Sequence, residues 1–140
     1  MVYAQRKYFK KIISIELSTQ LFNIARKRFK YYPSVEIING DSAVSLGEIV
    51  IKLKTPAIFW LDGHYSGFET AKGDLETPIK KELESILKSD IDHIILIDDA
   101  RLFIGQNDYP TLEGLKEFIL SLKNSLSITV KDDIIRIHKS

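Results

Sequence analysis

Asp62, Asp98 and Asp99 are the residues best suited to do chemistry. Each stands where an apolar run stops: Ala57-Ile58-Phe59-Trp60-Leu61 before Asp62, and Ile94-Ile95-Leu96-Ile97 before Asp98-Asp99. Two weaker runs also finish in acids. Ile12-Ile13-Ser14-Ile15 ends in Glu16, and Val35-Glu36-Ile37-Ile38-Asn39-Gly40 ends in Asp41. Such runs suit parallel strands covered by helices. In an open α/β sheet, ligands bind outside the carboxyl ends of the strands. Parallel strands would therefore gather these acids on one rim. Carboxylates gathered there repel unless a cation offsets them. Oxygen ligands select a hard ion, Mg²⁺, Mn²⁺ or Ca²⁺, over zinc. The simpler alternative is a set of solvated strand-end aspartates, one of them capping a loop.

Glu16 ends its strand two residues before a helix cap, Ser18 or Thr19. An acid in that place accepts ribose hydroxyls in nucleotide-binding α/β folds. Taken by itself, it reads better as a surface carboxylate near a helix N-terminus, where the dipole favours it. Asp41-Ser42 opens a further helix, as an adenine-edge contact or as a cap. His64 lies two residues past Asp62. An imidazole there suits a general base, and a structural loop histidine is the alternative. His93 starts its strand, away from the acids, and His138 lies near the C-terminus. Neither is a good ligand candidate.

These residues need elements to hold them. The pattern predicts strands over 11–16, 35–39, 57–62 and 93–98, and a C-terminal hairpin of 127–131 and 134–138 turning at Asp132-Asp133. Residues 2–9 read as the tail of a helix. A helix over 19–32 carries the apolar face Phe22, Ala25, Phe29 and Tyr32 and stops at Pro33. A helix over 42–53 carries Leu46, Ile49, Val50 and Leu53. Thr77 caps a helix with Pro78 at its first position and Ile79, Leu83, Ile86 and Leu87 on its buried stripe. Thr111 caps the last helix, with Leu115, Phe118, Ile119 and Leu122 inward. The glycine-punctuated stretch 63–76 starts at Asp62 and reads as a lid or substrate loop. The order β-α-β-α-β-α-β-α-β-β predicts an α/β, doubly wound, mostly parallel sheet with a C-terminal antiparallel hairpin.

With 140 residues, the chain suffices for one domain, 1–140. Its 44% hydrophobic and 28% charged content is ordinary for a globular protein. There is no cysteine, which excludes disulfides, thiolate zinc and a cysteine nucleophile. A formal net charge of +1 gives no global field, so nucleic acid and membrane are not the expected partners. The N-terminus has no signal-peptide apolar region and no run approaches the ~20 residues of a membrane span. A cytoplasmic protein is the expectation. No P-loop and no G-x-S-x-G elbow occurs. A phospho-acceptor receiver domain carries its acidic pair on an earlier strand than the acceptor aspartate, the reverse of the order here.

These motifs resemble those of the class I S-adenosylmethionine-dependent methyltransferases, and within them the metal-dependent sugar and macrolide O-methyltransferases of the macrocin type. The resemblance runs over about residues 10 to 138 and implies a Rossmann-like fold. Ser14-Ile15-Glu16-Leu17-Ser18 resembles the motif whose acid holds the cofactor ribose. Asn39-Gly40-Asp41-Ser42 resembles the motif near the adenine. Phe59-Trp60-Leu61-Asp62-Gly63-His64 and Leu96-Ile97-Asp98-Asp99 resemble the two metal-bearing strands. The resemblance implies S-adenosylmethionine on Glu16, Asp41 and Ser42, and Mg²⁺ (or Mn²⁺ or Ca²⁺) on Asp62, Asp98 and Asp99. It implies O-methylation of a sugar-like acceptor hydroxyl.

Two departures stand out. The family often has Asp-Gly-Asp where this chain has Asp62-Gly63-His64, which passes the base role to His64. The family's first strand and glycine-rich loop have no counterpart upstream of Glu16. The expectation is therefore a fold truncated at its N-terminus, in which the two central strands close up, or the N-terminus, a second copy or a partner chain fills the slot. Two other readings follow: an inactive methyltransferase-like remnant or binding module, and a metal-dependent hydrolase or hydroxylase on a similar scaffold. Tyr65, Phe68, Phe103 and Tyr109 are candidates to stack on a sugar.

Overall fold

The computed structural model describes residues 1–62, 78–106 and 108–140, which fall into two compact units, 1–45 and 46–140. The loop 63–76, with His64, Tyr65 and Phe68, and the expected cap Thr77 lie outside the described residues.

In the first unit, α1 (Val2–Gln5) leads to β1 (Ile12–Glu16), α2 (Thr19–Arg28) and β2 (Val35–Asn39). Strands β1 and β2 are parallel, in register from Ile12↔Val35 to Glu16↔Asn39. Ser18 caps α2, its Oγ accepting the Leu21 amide at 3.3 Å. The expected inner face is the observed one, with Phe29 buried and Phe22, Ala25 and Tyr32 half-buried. Two helices are shorter than their sequence patterns suggest. The first ends at Gln5, where no side chain caps its start and Tyr8 N donates to Gln5 O in a turn. Helix α2 ends at Arg28 rather than residue 32. Proline disfavours the helical conformation of the residue before it, so the chain unwinds ahead of Pro33 through a turn in which Tyr32 N donates to Phe29 O.

Helix α3 (Ser42–Lys52) starts in the first unit and enters the second with Leu46 and Val50 buried. The second unit continues with β3 (Ile58–Leu61), α4 (Pro78–Leu87), β4 (Ile94–Ile97), a 3-10 turn at Ala100–Leu102, α5 (Leu112–Leu122), β5 (Leu126–Lys131) and β6 (Ile134–Lys139). Its sheet has the order β3-β4-β6-β5. β3 and β4 are parallel, and the hairpin β5–β6 joins antiparallel through β6. Asp132 and Asp133 make the turn with φ of 55° and 62°. Two positive φ values match the twist of a two-residue hairpin. The core holds Leu83 and Ile86 of α4, Ile95 and Ile97 of β4, Leu115 and Ile119 of α5, and Ile135 and Ile137 of β6, all nearly inaccessible. Burying each such side chain is worth about 1.5–3 kcal/mol. Leu122 departs from the expected stripe and is 37% exposed at the helix end. β3 and β4 are not sealed on both faces. The paired first residues Ile58 and Ile94 are exposed, while Phe59, Leu61, Ile95 and Ile97 are buried.

The architecture is thus the expected Rossmann-like α/β class, with parallel pairs and a terminal antiparallel hairpin. Among the described residues β1 pairs with β2 alone and β3 with β4 alone, so each keeps one open edge. No described helix is long and apolar enough to cross a membrane.

Candidate functional site

In the first unit, the end of β1 is built around Glu16. Its Oε1 accepts the Ser18 amide at 2.9 Å, so the carboxylate sits against the start of α2. Such a place favours a negative charge, because the first amides of a helix have no partner within it. Asn39, the register partner of Glu16, latches the two strand ends together. Its Nδ2 donates to Glu16 O at 2.8 Å and to Leu17 O at 3.3 Å, while Oδ1 accepts Thr19 Oγ1 at 3.2 Å. Gly40 N donates to Glu16 O at 3.1 Å. A Cβ on Gly40 would come within 2.9 Å of Ser45 Oγ, which suits glycine to this position. Asp41 then opens α3. Its Oδ1 accepts Ala43 N at 2.9 Å and its carbonyl accepts Ser45 N at 2.8 Å. Asp41 therefore acts as a helix cap, and Ser42 is half-buried beside it. The latching role of Asn39 was missed in the sequence, although an asparagine before glycine at a strand end is a signal for a turn.

In the second unit, Asp62 and Asp98 follow directly on the paired residues Leu61 and Ile97. Asp98 N donates to Leu61 O at 3.0 Å, which extends the parallel pairing to these two acids. Asp62 is exposed and Asp98 half-buried. The chain then turns sharply. Asp98 Oδ1 accepts the Asp99 amide at 2.9 Å, and Asp99 is left-handed, at φ 56° and ψ 49°. Aspartate tolerates that conformation better than most residues. The turn buries Asp99 to 7% exposure and brings its Oδ1 to 2.6 Å from Arg101 Nη1. The same guanidinium meets Asp133 Oδ2 from the hairpin turn. Asp133 Oδ1 also accepts Arg101 N at 2.9 Å, and Asp133 O accepts Ala100 N at 2.8 Å.

A hard divalent cation needs several oxygen ligands. Among the described residues no group of three acids or histidines is assembled to hold a metal. Asp62 and Asp98 are adjacent and carry the right atoms. Asp99 does not fit as the third ligand in this conformation, because its carboxylate is engaged by Arg101. Arg101 was not singled out from the sequence. Its partner Asp133 becomes a neighbour only through the antiparallel register of β4 and β6.

Two of the aromatic candidates are described. Phe103 is 3% exposed and packs edge-on against Tyr109, with ring centroids 5.3 Å apart. It is a core residue rather than a stacking platform. His93 also serves packing and hydrogen bonding, at the end of β4 opposite Asp98. Its Nδ1 lies 3.1 Å from Ala57 N and its Nε2 3.1 Å from Ser89 Oγ. The Ala57 amide can only donate, which assigns the proton to Nε2. Burial, and then the charge of Lys123, lower its pKa below the usual histidine value.

No family model matches this sequence, and no curated protein matches it. Solved structures do match in fold. A putative methyltransferase from Streptococcus mutans, in complex with SAH, is 14% identical, with a TM-score of 0.61, over 99% of this chain and 81% of the other. An rRNA methylase from Streptococcus thermophilus is 12% identical, with a TM-score of 0.53, over 96% and 76%. A putative caffeoyl-CoA O-methyltransferase from Staphylococcus aureus is 12% identical, with a TM-score of 0.54, over 93% and 65%. At these identities the likeness is one of fold: the chain has the Rossmann-like α/β architecture of proteins described as methyltransferases.

Proposed function

We propose that this chain binds S-adenosylmethionine and transfers its methyl group to a hydroxyl of a small, sugar-like acceptor. The observation that carries the reading is the end of β1, where Glu16 is fixed by the Ser18 amide and latched by Asn39. A carboxylate oriented there by the Ser18 amide, on a backbone that Asn39 latches, suits a ribose diol, which donates two hydrogen bonds. Asp41 and Ser42 are the candidates to meet the adenine, in addition to the capping role of Asp41. The fold likeness to an SAH complex supports the same cofactor. Fold alone does not fix function; the placement of Glu16 does more to favour this cofactor.

On the acceptor side, His64 is the candidate base, taking the hydroxyl proton as the oxygen becomes nucleophilic. Asp62 and Asp98 are the candidates for a divalent cation, with Asp99 available once Arg101 releases it. A bound cation supplies acidification of a hydroxyl. The cofactor supplies an electrophilic sulfonium methyl.

The test is to incubate the chain with S-adenosylmethionine and a panel of sugars and small alcohols, with and without Mg²⁺. Mass spectrometry would follow methylated product and S-adenosylhomocysteine together. Stoichiometric formation of both, lost in His64→Ala, is the expected result. Cofactor binding without product from any hydroxyl acceptor would overturn the transfer reading and leave a binding module. Turnover with metal alone would point to a hydrolase instead.

A further inference from the structure

The near-zero total charge conceals a division. Residues 1–45 carry eight Lys and Arg against three Asp and Glu, while residues 46–140 carry twelve against sixteen. The first unit is therefore at +5 and the second at −4. Within the first unit, Lys11 with Glu36 is the one cation that meets a carboxylate among the described residues, at 2.7 Å.

These cations are interleaved with aromatic rings, and two distant segments bring them together. Tyr3 of α1 packs edge-on against Tyr32 beyond α2, with ring centroids 6.1 Å apart. The Arg6 guanidinium lies 3.7 Å from the Tyr3 ring centroid and 5.2 Å from that of Tyr32. Arg28 approaches Tyr3 at 5.6 Å, and Lys30 lies over Tyr31 at 5.4 Å. Tyr31 is 82% exposed and Tyr8 79%. A solvated helix face would account for the charges alone. It does not account for large rings left in water beside them.

We propose that this cationic and aromatic surface of residues 1–45 binds single-stranded nucleic acid. Phosphates supply the anions that the lysines and arginines lack. Unstacked bases supply flat faces for the exposed tyrosines and for guanidinium planes. A duplex keeps its bases stacked and offers phosphates only. An anionic lipid surface is the competing partner, since Phe9, Leu21 and Ile24 are exposed as well; the most exposed rings, Tyr8 and Tyr31, end in hydroxyls and favour stacking on bases. The surface lies at the end of the first unit opposite Glu16. Tyr32 O accepts the amide of Val35, the first residue of β2, whereas Glu16 and Asn39 are the last residues of their strands. It therefore anchors a strand away from the candidate cofactor residues, and the two readings stand or fall separately.

The test is fluorescence anisotropy of the full chain with a labelled oligouridine of about 12 nucleotides, within the range of known single-strand site sizes. Titrations at about 50 and about 200 mM salt give the charge dependence. Binding that weakens steeply with salt is expected. Lys7→Gln/Lys27→Gln/Lys30→Gln should weaken it at least about tenfold and flatten the salt slope. Tyr31→Ala should weaken it about fivefold or more with the slope unchanged. Both variants change exposed side chains, and circular dichroism checks that they fold. Absence of binding at low salt overturns the proposal. So does equal affinity for a duplex with no effect of Tyr31→Ala, which would mark a general polyanion surface. Preference for phosphatidylglycerol vesicles over the oligonucleotide would also overturn it.

Discussion

Asp99 Oδ1 lies 2.6 Å from Arg101 Nη1, two residues further along a sharp left-handed turn. The pair has an asymmetric setting: the side chain of Asp99 is about 10% exposed and that of Arg101 about 61%. The guanidinium, which Asp133 also holds, is the solvent-facing side of the pair. This makes Arg101 a tethered countercharge on the acid that a divalent cation would also seek.

Arg101→Gln should have two opposite effects. Removing the charged partner of a mostly buried carboxylate should destabilise the fold, by about 1–3 kcal/mol, measured by urea unfolding. If Asp62, Asp98 and Asp99 hold a metal, the same substitution should tighten Mn²⁺ binding several-fold, read by electron paramagnetic resonance of the free ion. Unchanged or weaker Mn²⁺ binding in a folded variant would contradict that ligand set.

Asn39 acts on the candidate cofactor residue through the backbone, since its Nδ2 holds Glu16 O and Leu17 O. Asn39→Ala should cost about 1 kcal/mol of stability. It should also weaken S-adenosylhomocysteine by about fivefold, because Glu16 loses its fixed position. Asn39→Asp keeps the shape but replaces the donor with an acceptor, and should behave alike. Stability loss with unchanged affinity would confine Asn39 to a structural role.

His93 gives the second unit a pH dependence. Burial first, and then Lys123, lower its pKa from 6.5, against the opposing charge of Asp92. The unfolded chain therefore binds the proton more readily than the folded one. Its contribution is present above pH 6.5 and is lost as pH falls toward the folded value. Urea midpoints should drop between about pH 7.5 and pH 5.5. His93→Gln should flatten that drop, and an equally steep fall in the variant would place the sensitive group elsewhere.

Much of the fold was legible because apolar runs closed by acids are a local signal. β1 to β4, the Asp132-Asp133 hairpin and the Thr111 cap follow from residues close in sequence, and Thr111 Oγ1 does accept Gly114 N at 3.0 Å. What depended on distant partners was not legible. Phe103 is drawn into the core beside Tyr109 instead of facing a ligand. The Asp99–Arg101–Asp133 cluster needs the hairpin to return beside β4, which no local pattern encodes. The charge division between residues 1–45 and 46–140 is written in the sequence, but the whole-chain total hides it.

The most direct test of the account is calorimetric titration of the chain with S-adenosylhomocysteine, beside Glu16→Gln. Loss of a charged acceptor to a bound hydroxyl is worth about 1.5–3 kcal/mol, about tenfold or more in affinity. The account predicts micromolar binding in the native chain and that loss in the variant, with both chains folded. A folded native chain that gives no heat, or a variant that binds as tightly, would contradict it.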